Sequence, residues 1–390
     1  MTKILRIVLT RSMSIVCNLL GLLQTQNLAQ RWFHRRAIFF RVLLIANCAL
    51  LSGHLSAASI DGPDIFQPSD DATVVFRLTA SPALLPSSAR TPQEHLDTVE
   101  QALKSFRNTA NPRYLGDAER ELALIPANDR DVRFYFFRAS LKQSLHLFDE
   151  AVADLNRISD LDGDSLESLM MRFTINFVSG DYPAAELSCS ALKNFQNNLY
   201  AASCKQQLQA LVEPQTAYRD LKQAMAEFGV LSDRRALIWA SGTLADIAER
   251  AGRDDAVALW QLTLQLNRDD LYTRARLAES LLAQDSYQQV IALTEDYLSI
   301  DALAVSRAIA QTYLGGGTRL AKMLRERFDE ALWRGEILHK RAYAQFLLDI
   351  EKNPEVALEM AEDNWAHQRE WPDALILKRA REVLKGRAAQ

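Results

Sequence analysis

Acidic residues are absent from the first 58 positions of this chain, although its 390 residues include 49 Asp and Glu. Those 58 positions hold seven basic residues: Lys3, Arg6, Arg11, Arg31, Arg35, Arg36 and Arg41. Since the whole chain has a formal net charge of −4, the remainder carries −11. An acidic surface repels phosphate backbones, so we expect no nucleic acid partner and a cationic or neutral protein or peptide surface instead.

Glycine and proline are scarce, at 14 and 11 residues, while Leu and Ala recur throughout. This composition favours helices over β-structure. Long apolar runs are also missing. The compact apolar run 42–51 would span only about 15 Å as a helix, against a bilayer core of about 30 Å. We therefore predict no permanent membrane anchor at this run.

The order of features at the N-terminus is that of an export signal. A basic stretch precedes the run 42–51, and the small residues Ala57 and Ala58 follow it. We assign 1–58 to a signal segment that is cleaved around Ala57 or Ala58, and place the mature protein in the periplasm or outside the cell. The alternatives are a lipoprotein box at Cys48, a twin-arginine signal at 35–36, a mitochondrial presequence, and a true start downstream of Met1.

Catalytic and cofactor motifs are missing as well. The six histidines form no i, i+4 pair, and neither His-Glu-x-x-His nor Gly-x-Ser-x-Gly occurs. The triple glycine 315–317 lacks the Lys-Ser/Thr of a phosphate-binding loop, so we interpret it as a turn between helices. We predict no enzyme, no catalytic residues, no metal site, no cofactor and no small-molecule substrate. An enzyme built on a helical ring would need a buried acid pair, which no sequence pattern reveals.

Small residues return at a regular interval through the rest of the chain. These anchor positions are Ala118, Ala151, Ala185, Ala217, Ala256, Val290, Ala321 and Ala357. Their seven steps cover 239 residues, a mean of about 34, which is the period of the tetratricopeptide repeat (TPR), a helix–turn–helix. We predict an all-α, TPR-like α-solenoid of antiparallel helix pairs over 94–386. A mostly irregular, proline-rich linker precedes it at 59–93, with a short strand at 73–78 as an option.

Local signals refine this register. The clearest helix pair is predicted over 132–165, where Ala151 is small because the two helices cross there. Thr91 and Pro92 suit the cap and first turn of the first helix. A helix at the end of the repeat domain would cap the last repeat and carry charge on its outer face.

The aromatic run 134–137 has two interpretations. Four consecutive aromatic residues cover every side of a helix, so they cannot all face one core. Either one ring is presented to the inner groove of the stack, or the run packs under the preceding helices at 94–126.

Four cysteines are present. Cys17 and Cys48 fall in the signal segment, whereas Cys189 and Cys204 lie in the second helix of one predicted repeat and the first helix of the next. In an oxidising compartment we predict a disulfide between Cys189 and Cys204, the alternative being two buried thiols. A bond closing a loop of about 15 residues is worth about 3 kcal/mol in the chain-entropy description.

Five strings resemble a family of exported bacterial TPR proteins with no assigned chemistry: NPRYLGDAERELALIP, FRASLKQSLHLFDEAVADLNRI, SGDYPAAELSCSAL, DDLYTRARLAESLL and NWAHQRE. The resemblance covers 111–371. It implies an envelope or periplasmic location and genes near those of HupE/UreJ-type membrane proteins linked to metal handling. Phe173, where the family has a small residue, and Pro214 depart from its pattern, so we expect irregular packing at both places.

Nine positions that match this family are not explained by repeat packing. We predict that they bind the partner: Arg113, Tyr114, Arg138, Gln143, His146, Asn364, Trp365, Gln368 and Arg369. The function that the sequence favours is a non-enzymatic exported scaffold for a protein or peptide, such as a membrane protein exposed to the periplasm. The alternative is an accessory protein that delivers metal to an envelope metal transporter or helps to assemble a metalloenzyme.

Overall fold

The computed structural model describes residues 90–195, 198–229, 232–335 and 339–388. The signal segment, most of the linker and the optional strand at 73–78 lie outside this part. The described residues form 17 α-helices, a 3₁₀ turn at Ala127–Asp129 and no strand. The helices are α1 Pro92–Thr109, α2 Arg113–Ala123, α3 Val132–Ser144, α4 Phe148–Asp162, α5 Leu166–Ser179, α6 Tyr182–Leu192, α7 Asn198–Gln209, α8 Pro214–Phe228, α9 Arg234–Arg250, α10 Ala256–Leu266, α11 Leu271–Ala283, α12 Tyr287–Leu293, α13 Asp301–Tyr313, α14 Thr318–Arg334, α15 Lys340–Asp349, α16 Pro354–His367 and α17 Trp371–Ala388.

These helices pack as eight consecutive pairs, α1 with α2 through α15 with α16, and α17 packs on α16 as a last, unpaired helix. Five of the odd-numbered helices also contact the next odd-numbered helix: α1 with α3, α7 with α9, α11 with α13, α13 with α15, and α15 with α17. The first helices of the pairs therefore form one layer and the second helices the other. This arrangement is the predicted all-α, TPR-like solenoid. None of the described helices has the length and apolarity needed to cross a membrane.

The predicted anchors all lie in second helices, and seven of the eight are buried at 5% exposure or less. The prediction of a buried anchor is wrong at the eighth position, because Ala321 is partly exposed. In α14 the buried positions are Leu320, Leu324 and Phe328. The helix therefore meets its partner through larger side chains, the first of them one position before the alanine.

Local sequence signals set several helix starts. Thr91 caps α1 as predicted: its hydroxyl accepts from the Glu94 amide, and its own amide donates to the Glu94 carboxylate at 2.7 Å. Pro92 occupies the first turn, where a missing amide hydrogen costs nothing. Pro214 begins α8 in the same way, so this departure from the family pattern is accommodated at a helix start.

The aromatic run 134–137 packs against the preceding helices. Phe134 and Phe137 are buried in the cluster of α1, α2 and α3, and Tyr135 and Phe136 pack against its edge and that of the next cluster. Phe173 is also buried, with its ring centroid 5.8 Å from that of Trp239. The large side chain therefore fills a core position rather than disrupting it.

Cys189 of α6 and Cys204 of α7 are joined by a disulfide, with their Cα atoms 5.7 Å apart. Both residues lie in the cluster formed by α5, α6 and α7. The bond links the second helix of one pair to the first helix of the next, where only side-chain packing would otherwise join them.

Candidate functional site

A cavity of about 540 Å³, called the inner cavity here, is lined mainly by the first helices. Its wall comes from the first helices α3, α5, α7, α9 and α11, the connection between α16 and α17, and a few residues of the second helices α4 and α10. Pockets of roughly 300–1,000 Å³ are the usual size for small ligands and short segments. Successive pairs bring their first helices to one side, so residues far apart in sequence meet there.

The lining of the inner cavity combines ring faces with side-chain amides and hydroxyls. Its rings, amides and hydroxyls are those of Phe148, Phe177, Trp239, Trp260, Tyr272, His146, Gln143, Gln207, Gln368, Thr174, Thr243, Thr263 and Thr273, beside the charged Arg235, Asp246, Arg250, Asp270 and Glu370. The Oε1 atom of Gln207 is buried and has no hydrogen-bond partner among the described residues. Rings offer apolar area and amides offer donors and acceptors, which together suit an uncharged chain such as a peptide backbone.

Residues 368–370, called the crossing segment here, reach across the inner face from the last pair to the early pairs. The Gln368 side-chain amide lies 2.8 Å from His146 Nδ1, over a sequence separation of 222 residues. The Arg369 amide donates to the Val178 carbonyl at 2.7 Å. Glu370 accepts from the Tyr272 hydroxyl at 3.0 Å. The segment therefore connects α16 and α17 to α3, α5 and α11.

His146 follows α3 and has a left-handed backbone, with φ of 59°. Burial lowers the pKa of His146 to about 4, and the nearby positive charges of His339, Lys340 and Arg341 act in the same direction. The ring is therefore neutral at pH 7. A neutral imidazole has one acceptor nitrogen, which suits the contact with the Gln368 amide.

A buried charge network lies next to the inner cavity. Arg276 of α11 is 2% exposed and donates to the carboxylates of Glu249 and Glu279. Glu249 also accepts from the Trp260 indole at 2.8 Å and from the Ser280 hydroxyl. Burial raises the pKa of Glu249, and Arg276 opposes that rise. Since buried charges are costly unless paired, each member of this network depends on the others.

The network continues to the C-terminal helix. Arg341 of α15 donates to Glu370 at 3.3 Å and to Asp373 at 3.2 Å. Asp373 is fully buried, and this burial raises its pKa to about 6; the Arg341 guanidinium opposes the shift and the Glu370 carboxylate adds to it. A second cavity of about 490 Å³ lies on this side, lined by residues that include Arg276, Arg341 and Trp371.

The structure gathers four of the nine predicted partner-binding residues. Gln143, His146 and Gln368 line the inner cavity, and Arg369 lies beside it against Gly180. These residues come from the end of α3 and from the crossing segment. We retain these four as the candidate site.

The other five predicted residues lie elsewhere. Arg113 is exposed at the start of α2, and Tyr114 packs at the edge of the α1–α2 cluster. Arg138 forms a two-point ion pair with the buried Asp154, at 2.5 and 2.9 Å, and so ties α3 to α4. Asn364 is buried, and Trp365 packs on the cluster of the last helices.

Sequence reasoning missed the charge network around Arg276. No sequence pattern indicates an acid pair, whereas in the structure Glu249 and Glu279 both lie against one guanidinium. The available signal was weak: Arg276 and Glu279 are three residues apart on a predicted helix, which is equally typical of an exposed surface pair. Burial of this pair depends on how α9, α11 and α15 meet.

Within the described residues, no three or more His, Cys, Asp or Glu side chains are grouped so that they could hold a metal ion. No family model and no curated protein matches the chain. It is similar to a chain in the crystal structure of the APC/C hetero-tetramer Cut9-Hcn1, at 15% identity and a TM-score of 0.31, over 75% of this chain and 67% of that one. It is also similar to the crystal structure of the P58(IPK) TPR domain, at 14% identity and a TM-score of 0.20, over 77% and 99% of the two chains. Both likenesses are weak, and the solenoid is defined by the packing of the helix pairs themselves.

Proposed function

We propose that this protein is an exported, non-enzymatic scaffold that binds a segment of a protein or peptide partner in its inner cavity, in the periplasm or envelope. The observation that carries the proposal is the inner cavity itself, where rings and side-chain amides from at least five first helices and the crossing segment converge. A stack of helix pairs commonly presents such an inner surface to a ligand.

The lining supports a peptide rather than a reacting substrate. Of its charged groups, Asp246 is paired with Arg250 at 2.8 Å, and Glu370 is paired with Tyr272 and Arg341. Paired charges hold the wall in place. The amides and hydroxyls of the same lining can instead satisfy the donors and acceptors of an incoming backbone.

Two glycines allow a matched test of the inner cavity. Gly242 of α9 lines it, and a Cβ there would meet its nearest neighbour, Thr263 Cγ2, at an ordinary 3.7 Å. Gly116 of α2 is exposed, and a Cβ there would meet nothing within 4 Å. Both are helical, so Gly242→Met and Gly116→Met gain the same helix propensity, but only the first fills the cavity.

The measurement is recovery of partners from crosslinked envelope with each tagged variant. We expect Gly242→Met to lose at least tenfold of the partner that wild type and Gly116→Met recover. Equal recovery by the two variants would contradict binding in the inner cavity. Circular dichroism and gel filtration of both variants check that the fold is kept.

Export and the metal alternative have their own tests. N-terminal sequencing of the protein from a periplasmic fraction should begin after Ala57 or Ala58; an intact N-terminus on a cytosolic product would contradict export. Metal analysis of the same preparation tests delivery of metal to an envelope transporter or metalloenzyme. Stoichiometric bound metal would favour that alternative over the scaffold.

A further inference from the structure

The crossing segment occupies part of the inner face as a bound peptide would. Gln368 has an extended backbone, with φ of −130° and ψ of 122°. Its neighbour Arg369 contacts α5 through both its amide and its side chain. The chain's own residues therefore show what this part of the inner face can hold.

The backbone contact uses an acceptor that a helix end leaves free. Val178 lies in the last turn of α5, where carbonyl groups have no partner within the helix. Its oxygen accepts from the Arg369 amide at 2.7 Å. Any residue except proline could donate this hydrogen bond, so it selects an extended chain and not a side chain.

The side-chain contact is made by a cation. Gly180 ends α5 with φ of 86°, in the left-handed region, and a Cβ on it would lie 2.6 Å from Arg369 Cδ. Glycine is therefore needed both for the turn and for the passage of the arginine. The C-terminus of a helix carries partial negative charge, which favours a guanidinium beside it.

The crossing segment fills this place imperfectly. Arg369 Nε is buried and has no hydrogen-bond partner among the described residues. The contacts of Gln368 and Glu370 are polar, to His146, Tyr272 and Arg341, rather than packed apolar area. Polar contacts of this kind exchange for equivalent ones, so a partner segment with the same groups could replace them.

We infer that the inner face at Val178, Gly180 and His146 is a binding site for an extended, arginine-bearing segment of a partner protein, and that the crossing segment occupies it until that partner competes. The inference rests on the proposed function and specifies its partner. The net charge of −11 outside the first 58 residues favours a cationic segment over an acidic one, whereas the positive charges of His339, Lys340 and Arg341 lie at the His146 end of the site. Because the crossing segment competes with the partner, the apparent affinity for the partner is reduced in proportion to the fraction of molecules whose site is open.

The test uses a fluorescent peptide with this chain's own sequence at 364–373, NWAHQREWPD, added to full-length protein. Gln368→Ala/Arg369→Ala should bind it at least tenfold tighter than wild type, because the internal competitor is weakened. Arg381→Ala is the matched control, since Arg381 is an exposed α17 residue paired with Glu362 at 2.9 Å. A peptide with alanine in place of its arginine should bind at least tenfold more weakly, and so should Gly180→Ala placed in the double variant.

A second readout needs no variant. Hydrogen exchange of the Arg369 amide in wild type should accelerate when excess peptide is added, because its bond to Val178 is lost. The inference is overturned if the folded double variant binds no better than Arg381→Ala, or if exchange at Arg369 is unchanged by millimolar peptide. The two proposals can fail separately. Gly242→Met tests whether the envelope partner binds in the inner cavity, whereas the peptide tests whether the C-terminal end of α5 binds an arginine-bearing segment.

Discussion

Helices α3 and α4, and helices α9 and α11, both contact each other through buried side chains, but the chemistry of the two contacts differs. Between α3 and α4, the contact is mostly apolar and small, with Ala139, Ala151 and Leu155 fully buried and one carboxylate, Asp154, paired with two cations at its edge. Between α9 and α11, a buried guanidinium is held by two carboxylates that are 13% and 16% exposed. The first kind of contact tolerates change of charge at its edge, whereas the second depends on every charge being present.

The largest expected effect breaks the charged region. Arg276→Ala leaves Glu249 and Glu279 buried without their shared partner, so we expect a loss of about 3–5 kcal/mol in the free energy of unfolding. Arg138→Ala in the apolar region leaves Asp154 its contact with Lys142 at 2.9 Å, so we expect a loss of about 1–2 kcal/mol. Urea unfolding of both variants measures the difference. Equal losses would show that the two regions do not differ.

The disulfide lies at the boundary between the two regions. Cys189→Ala/Cys204→Ala frees α6 from α7 and should lower the free energy of unfolding by about 3 kcal/mol. Denaturation of wild type with and without reductant, beside the double variant, checks the value. A double variant as stable as oxidised wild type would mean that the packing of the two helices suffices.

Two anchor positions sharpen the account of the apolar contacts. Ala151 is fully buried where α3 meets α4, so Ala151→Trp should overpack it and cost about 1–3 kcal/mol. Ala321 is partly exposed, so Ala321→Trp should cost clearly less. Thermal unfolding ranks the two. If Ala321→Trp were the more damaging, the corrected register of α14 would be wrong.

The stability of the charged region should depend on pH through the titration of Asp373. Its pKa is about 6 in the folded protein against an ordinary 3.8, so the folded state binds the proton more tightly between these values. Wild type should therefore gain about 1–2 kcal/mol relative to Asp373→Asn as pH falls from 6 to 4. Urea midpoints of the pair across this range measure it. A difference in stability between the two proteins that stays constant with pH would contradict a buried Asp373 carboxyl with a raised pKa.

The pH effect expected at His146 has the opposite sign to that at Asp373. Its pKa is about 4 in the folded protein against an ordinary 6.5, so the folded state resists protonation. Wild type should lose stability relative to His146→Asn as pH falls from 6.5 towards 4. A matched pH series on these two proteins decides the sign, and a gain by wild type would be evidence against a buried neutral ring.

The apolar region could be predicted from the sequence because its determinants are periodic. Ala151, Ala185 and Ala217 recur at the spacing of a helix pair, and Thr91 with Pro92 marks the first helix start. Ala321 shows the limit of this reasoning, since a change of rotation by one residue in α14 exchanges a small anchor for Leu320.

The candidate site could be predicted only in part. Repeat packing does not explain four of the predicted partner-binding residues that the structure brings to one place: Gln143, His146, Gln368 and Arg369. Their meeting depends on how the pairs curve over more than 200 residues, which no local pattern encodes. The network around Arg276 depends on the same curvature.

The central claim is that the inner cavity, and not the outer surface, receives the partner. The most direct measurement is photocrosslinking in cells, with a benzoyl-phenylalanine placed either at Gln143, which lines the cavity, or at Leu187, which is 75% exposed on α6. The account predicts a discrete crosslinked partner from position 143 and none from position 187. A partner captured from position 187 and absent from position 143 would contradict it.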